Sequence, residues 1–279
     1  MYRARLDDLR SAGVQAAPES MTQVSGIRDA AHTARTLTGV APTQKPPRGE
    51  RWRLRLVQNP LVKRTIVSVM RHTTMGEVYD RVETTVPAVA LTFDDGPNPP
   101  YTEEILQVLA RYRIKATFFM IGRNIESHPD TARAVLAHGH EIGNHSYSHS
   151  PLVFRTPAFV RSELAATDNL LRALGASGEI HFRSPYALHL FAVPLVLTQQ
   201  RRTNILGRVG GLDWDDQDAE RITARVVQGV SPGSIILLHD GSGARQGTVV
   251  ATRMIIEQLR TMGYQFVSIW ELLALPRRA

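Results

Sequence analysis

Two adjacent carboxylates, Asp94 and Asp95, follow an apolar run that extends from Val86 to Phe93. The run is short and β-branched, which predicts a buried strand that delivers two charges to its carboxyl end. Carboxylates are rarely buried unless they are paired or bind a metal. Because successive strand side chains point to opposite faces, we expect different roles, one as metal ligand and one as base. The alternative is a solvated turn, since Asp-Gly and Gly-Pro are common turn dipeptides.

A pair of histidines, His145 and His149, is separated by four positions in the run 143–149. This spacing predicts that both imidazoles share one face of a helical turn, an arrangement that recurs in zinc sites. The chain has no cysteine, so a metal must be held by His, Asp or Glu. Two histidines and one carboxylate leave positions open for water and substrate, as catalytic zinc requires. The pattern therefore predicts metal binding.

Three further predicted strands end in residues that could do chemistry. Arg183 and Tyr186 follow one of them, and Asp213 and Trp214 follow another, offering a carboxylate to pair with Arg183 and an aromatic wall. A third, buried run ends in His239. Each has a structural alternative, namely an Arg–Asp pair, a core tryptophan or a capping histidine. Five strand ends with suitable chemistry together favour one shared site.

The elements that must position these residues alternate between strands and helices from residue 86 onward. Such alternation predicts parallel βα units, and about seven strands suggest a closed or nearly closed barrel. In such barrels the chemistry gathers at the carboxyl ends of the strands. The predicted strands span 88–93, 116–121, 141–143, 181–183, 205–209, 212–214, 234–239 and 265–268. The predicted helices span 102–112, 129–138, 157–174, 190–202, 218–230, 248–262 and 270–275.

The first third of the chain carries most of the net charge of +7. Residues 1–86 hold 14 Lys and Arg against 8 Asp and Glu, whereas the rest holds 19 against 18. We predict a loosely ordered basic arm and linker over 1–50 and a strand-like lead-in that packs on the barrel over 51–85. The lead-in could instead be a basic amphipathic surface element. The arm suits an anionic surface, although a solvated extension is the simpler interpretation, and we expect no nucleic-acid partner.

Neither a membrane span nor a secretory signal is evident in the sequence. No apolar run approaches the ~18–20 residues that a spanning helix needs. The first fifteen residues have no apolar core and carry early acids. We therefore expect a cytoplasmic protein, with peripheral membrane association through the basic arm as an alternative.

Taken in order, the motifs resemble those of the NodB-homology polysaccharide deacetylases, carbohydrate esterase family 4. The resemblance extends from about Val86 to Leu275 and rests on the motifs at 92–96, 145–149, 183–186, 213–214 and 237–239. It implies an α/β fold, a distorted (β/α) barrel, and a NodB-homology catalytic domain over 86–279. It also implies a divalent metal, with Zn²⁺ expected and Co²⁺, Mn²⁺ or Ni²⁺ as alternatives that accept the same ligands.

The resemblance also implies a role for each matching residue. Metal ligands would be Asp95, His145 and His149. The residues of catalysis would be Asp94 as general base, His239 as general acid, Tyr186 through its backbone N–H to the oxyanion, and Arg183 and Asp213 to orient and tune the base. The substrate pocket would be lined by Trp214, Leu237 and Tyr186.

The implied activity is a metal-dependent removal of N-acetyl groups from amino sugars, such as those of chitooligosaccharide or peptidoglycan. Three departures from the family pattern, Gly210, Ser184 and Ala187, fall in the substrate groove and bear on the substrate. Two alternatives remain at this point. One is a hydrolase of a non-sugar amide or cyclic imide on the same barrel. The other is a non-catalytic carbohydrate-binding protein.

Overall fold

The computed structural model describes residues 77–277 of the 279-residue chain. The predicted arm over 1–50 and the lead-in over 51–76 lie outside the described residues, so the arm's anionic partner stays a prediction. The end of the lead-in contains a short strand, β1 (Val78–Tyr79). Across residues 77–277, none of the helices has the length and apolar character that a membrane-spanning segment needs.

The strand that ends in the two carboxylates, β2 (Ala88–Asp94), lies at the centre of a parallel sheet and is buried throughout. One edge of β2 pairs with β7 (Ile235–His239). The other edge pairs with β3 (Thr117–Met120) near its carboxyl end and with β8 (Gln265–Val267) near its amino end. Parallel strands covered on both faces form continuous apolar runs, which is why this segment lacks alternation.

Two more strands extend the sheet, and a third forms a small separate ladder. Strand β4 (Glu141–Asn144) pairs with β3, and β6 (Val209–Gly210) pairs with β7. Strand β5 (Asn204–Ile205) pairs with β1. Single bridges from Phe182 to both Asn144 and Asn204 connect this ladder to β4. The strands therefore curve into the predicted distorted (β/α) barrel, which stays open between β1 and β6 in the described part of the chain.

The helices cover the sheet, and their ends carry recognisable start signals. Thr156 caps the longest helix within residues 77–277 by accepting a hydrogen bond from Phe159 N–H, and proline occupies the next position. Asp218 caps a later helix by accepting from Arg221 N–H. The helices are α1 (Tyr101–Tyr112), α2 (Gly122–Ser127), α3 (Pro129–Ala137), α4 (Pro157–Ala173), α5 (Ala192–Gln199), α6 (Ala219–Gly229), α7 (Gln246–Thr261) and α8 (Ile269–Leu273).

Several predicted elements differ from the structure at the loops that carry the site. The predicted strand 181–183 is reduced to the bridging residue Phe182. The predicted strand 212–214 is a turn, because Leu212 has a φ of 55°, outside the extended region. The predicted helix 190–202 begins only at Ala192, since Phe191 also has a positive φ, 57°. The short helix α2 was not predicted.

A small apolar cluster supports the loops on one side of the barrel mouth. Buried residues of α4 and α5 pack there against Phe182 and against Leu152. Because the loops pack on this cluster, their backbone has a fixed position relative to the barrel.

Candidate active site

Nine of the ten residues predicted for the site line a single cavity of about 360 Å³ at the carboxyl ends of the strands. The tenth, Asp213, is fully buried beside His239. The rim is aromatic, since Trp214 is 50% exposed and Tyr186 37% exposed. The nine are Asp94, Asp95, His145, His149, Arg183, Tyr186, Trp214, Leu237 and His239.

Three predicted metal ligands converge on one point. Asp95 Oδ1 lies 3.4 Å from His145 Nε2 and 3.1 Å from His149 Nε2, and the three ligand atoms lie within 4.8 Å of one another. His145 Nδ1 is hydrogen bonded to the Arg183 carbonyl at 2.7 Å, which leaves Nε2 facing the triad. Asp95 Oδ1 is buried and accepts no hydrogen bond from the described residues. A cation would satisfy this oxygen, so the donor set fits a divalent metal.

Electrostatics at the triad favour a negative carboxylate beside the histidines. Burial raises the pKa of Asp95, but His149 and His145 outweigh burial and hold that pKa well below its usual value. Burial lowers the pKa of His145, and Asp94 and Asp95 reverse the effect, so its pKa is raised. The negative charge of the carboxylates that favours protonated imidazoles here would equally attract a metal cation.

The histidines lie on a loop after β4, so the predicted helical turn is wrong. Ser146 and His149 have positive φ values of 62° and 55°, which no α-helical turn accommodates. Glu163 of α4 stabilises this loop. Its carboxylate accepts hydrogen bonds from Tyr147 N–H at 3.0 Å and Ser148 N–H at 2.8 Å. Sequence reasoning missed Glu163; its only signal was an acidic residue on the apolar face of a helix.

The first carboxylate, Asp94, is paired with Arg183. Arg183 Nη1 donates to Asp94 Oδ1 at 2.6 Å, and Asp94 Oδ2 lies 3.7 Å from His145 Nε2. The guanidinium also donates from Nε to the Ile205 carbonyl and from Nη1 to Thr92 Oγ1. Burial lowers the pKa of Arg183 despite Asp94. The predicted Arg183–Asp213 pair is wrong, because Arg183 is committed to Asp94.

The other dyad joins buried Asp213 to His239, which is partly buried. Asp213 Oδ1 contacts His239 Nδ1 at 2.9 Å, while Oδ2 accepts from His239 N–H and from Thr248 Oγ1, both at 2.8 Å. Burial lowers the pKa of His239, but Asp213 outweighs burial and raises it. Asp213 therefore positions His239, which corrects the prediction that it tunes the base. Trp214 meets the imidazole edge-on, with centroids 5.2 Å apart.

A buried carboxyl that was not predicted, Asp240, lies directly after His239. Its Oδ2 accepts from Thr102 Oγ1 at 2.6 Å, and its N–H donates to the Asp94 carbonyl at 3.1 Å. Burial raises the pKa of Asp240 to about 7. Gly96 makes room for it, since a Cβ there would lie 2.1 Å from Asp240 Oδ2. Asp240 thus ties the end of β7 to the end of β2.

Tyr186 lies in a short 3₁₀ turn, Pro185–Ala187, with a positive φ of 59°. Its ring packs on His149 with centroids 4.7 Å apart. Burial raises the pKa of its phenol to about 12, so the hydroxyl stays neutral. The predicted role of its backbone N–H remains a prediction.

A two-histidine, one-carboxylate triad between two polar dyads on an open α/β barrel defines the class of metal-dependent hydrolases. Comparison with known proteins narrows this class. Residues 81–201 match the family model for polysaccharide deacetylase. The chain belongs to this family. It is similar to a chitooligosaccharide deacetylase of Bradyrhizobium sp. (strain ANU 289), with 33% identity over 190 residues that cover 64% of this chain and 87% of the relative.

Solved structures of the same family share the fold. The peptidoglycan N-acetylglucosamine deacetylase Bc1960 superposes with a TM-score of 0.67 and 34% identity, covering 72% of this chain and 95% of the other. A family 4 pseudoenzyme from Bacillus anthracis, BA3943, superposes with a TM-score of 0.66 and 26% identity, covering 72% and 70%. Because a pseudoenzyme shares this architecture, the evidence for catalysis must come from the residues of the site.

Proposed function

We propose that this protein removes N-acetyl groups from glycans that contain N-acetylglucosamine, in a metal-dependent hydrolysis. The convergence of Asp95, His145 and His149 between an Asp94–Arg183 dyad and an Asp213–His239 dyad carries the proposal. Relatives named as chitooligosaccharide and peptidoglycan deacetylases support this substrate class.

The metal would be held by the Asp95 carboxylate and the Nε2 atoms of both histidines. A divalent cation there supplies positive charge that acidifies water and polarises the acetamide carbonyl. Zn²⁺ is the proposed ion, because neutral imidazole and carboxylate are established zinc ligands and the chain offers no thiolate.

Asp94 acts as general base. Arg183 fixes Oδ1, so Oδ2 is the oxygen that accepts the proton as the attacking water becomes hydroxide. The hydroxide oxygen bonds to the acetamide carbon, and the carbonyl oxygen gains negative charge. The Tyr186 N–H is proposed to donate to that oxygen.

His239 acts as general acid. Its Nδ1 is bound by Asp213, which leaves Nε2 to carry the proton that the departing amine needs. As the C–N bond breaks, this proton passes to nitrogen, and acetate and a free amino sugar result. Base and acid need opposite protonation states, so kcat/KM should follow a bell-shaped pH profile.

The rim of the cavity favours a sugar over a small imide. Trp214 and Tyr186 stand half-exposed at the mouth, and Leu237 lines the wall. Exposed aromatic rings bind the apolar faces of pyranose rings, whereas a small imide calls for a closed pocket. The presence of both dyads and all three ligands argues against a non-catalytic binding protein.

The test is acetate release from a chitooligosaccharide ladder by metal-loaded wild type and Asp94→Asn, with bound metal measured in both. We expect release by the wild type and loss of roughly 10²–10⁴-fold in the variant with metal retained. Acetate release that is retained by Asp94→Asn would refute the assignment of Asp94 as the general base. Absence of release by metal-loaded wild type from both chitooligosaccharides and peptidoglycan strands would refute the proposed function.

A further inference from the structure

Two exposed phenylalanines, Phe154 and Phe191, lie side by side on the surface. Phe154 is 45% exposed and Phe191 is 62% exposed, and their ring centroids are 5.0 Å apart at an interplanar angle of 34°. Burying one such side chain yields about 1.5–3 kcal/mol, so two contacting rings left in water are costly to solvate. An exposed aromatic pair of this kind indicates a surface for a ligand.

Both rings stand on loops that also form the candidate active site. Phe154 is five residues after the ligand His149, and Phe191 is five residues after Tyr186. The two loops therefore meet twice, at the His149–Tyr186 ring contact and at the phenylalanine pair. Leu188 lines the cavity and precedes Phe191 by three residues, which limits the distance between their Cα atoms to about 11 Å. The pair thus lies outside the cavity lining, on the same two loops and close to a residue of that lining.

The backbone at both phenylalanines is held by buried neighbours. The neighbouring residues Val153 and Ala192 are buried, and Ala192 belongs to the apolar cluster of α4 and α5. Phe154 and Phe191 themselves have positive φ values of 61° and 57°. Such a backbone costs roughly 1–3 kcal/mol in a non-glycine residue and is maintained only where the surroundings determine it. A constrained backbone at both residues reduces the entropy that the two loops lose when a ligand binds.

We propose that Phe154 and Phe191 form a distal sugar-stacking subsite, which binds a pyranose ring of the same glycan chain outside the cavity that holds the N-acetyl group being removed. The proposal rests on the deacetylase function proposed above. A pyranose ring presents an apolar face of C–H groups, while its hydroxyl groups at the edge stay hydrated. Two uncharged, exposed rings on the loops beside the cavity match that chemistry.

The test compares chitobiose with chitohexaose as substrates for wild type and the double variant Phe154→Ala/Phe191→Ala. We expect kcat/KM on chitohexaose to fall roughly five- to tenfold in the variant, because an aromatic contact contributes about that factor. On chitobiose, which leaves at most one ring outside the cavity, kcat/KM should fall less. The conservative variant Phe154→Tyr/Phe191→Tyr should restore the chitohexaose rate.

Met262→Ala is the matched control, because Met262 is 53% exposed and follows α7, next to the amino end of β8. It should change neither rate. Equal losses on both substrates would assign the pair a structural role and overturn the subsite. A wild type that shows no preference for chitohexaose would also overturn it.

Calorimetric binding of chitohexaose separates this proposal from the proposed function. If metal-loaded wild type releases no acetate, the deacetylase proposal fails on these substrates, and the affinities still decide the subsite. Weaker binding by the alanine variant, by the same five- to tenfold, would support it. Equal affinities of wild type and variant would overturn it.

Discussion

Asp213 should set the pH range in which the enzyme works. Three hydrogen bonds of 2.8–2.9 Å end on its carboxylate, two from His239 and one from Thr248. In Asp213→Asn the shape is kept and the charge is lost. A hydrogen bond to a charged group contributes about 1.5–3 kcal/mol, which corresponds to roughly 10- to 150-fold in kcat/KM.

The direction of the pH shift follows from the role of His239. A general acid must be protonated, so activity declines as pH rises through its pKa. Asp213 raises that pKa, and the alkaline limb of the wild type therefore lies above the ordinary histidine range. Loss of the charge in Asp213→Asn should move the alkaline limb to lower pH and leave the acid limb, set by the base, in place.

The assay is kcat/KM for acetate release across the pH range, with bound metal measured in each variant. Asp215→Asn is the control, because it makes the same chemical change at an exposed position two residues away. It should leave both limbs unchanged. An alkaline limb that does not move in Asp213→Asn, or a loss no larger than that of Asp215→Asn, would refute the assignment of His239 and Asp213.

Three further predictions concern the residues around the site. Glu163→Gln should weaken metal binding roughly 10- to 100-fold, because the loop between His145 and His149 loses the charge that holds its backbone N–H groups; chelator competition measures this against exposed Glu220→Gln as control. Arg183→Met should lower the free energy of unfolding by about 3–5 kcal/mol in urea denaturation, because it leaves Asp94 buried without its partner; an unchanged midpoint would contradict this. The raised pKa of Asp240 means that the metal-free native state holds a proton that the unfolded state has lost, so stability should fall between about pH 4 and pH 7, by at most about 4 kcal/mol. Asp240→Asn should remove that slope, and a slope that persists would assign the titration to another group.

The sequence predicts which residues meet at the site because the carboxyl ends of parallel strands share one edge. Asp94 ends β2 and His239 ends β7, and these two strands pair directly, with Asp94 opposite His239 in the register. An apolar run followed by a polar residue is enough to predict that the polar residues at the ends of neighbouring strands lie close together. The pairing partners were not predictable in this way. Arg183 pairs with Asp94 instead of Asp213 because loop paths decide which side chains are within reach, and periodicity carries no information on loop paths.

Glu163 illustrates a second limit of prediction from the sequence. It is far from the motifs in sequence and lies on a helix whose pattern predicts only a buried face. Its function depends on two backbone N–H groups of a loop, which no residue type signals. Asp240 was overlooked for a related reason, since a carboxyl after a strand suggests a solvated turn unless the burial around it is known.

The backbone conformation around the ligands explains why the predicted helical turn is absent and why the ligand side chains have defined positions. Positive φ is unusual for non-glycine residues and costs roughly 1–3 kcal/mol at each position. Here it recurs around the ligands, at Asp95, Ser146, His149, Tyr186 and Ala187. Hydrogen bonds from the surroundings hold these turns, including Asn124 Nδ2 to the Asp95 carbonyl at 2.7 Å. The strain is therefore maintained by the fold itself, which holds the three ligand atoms facing one point.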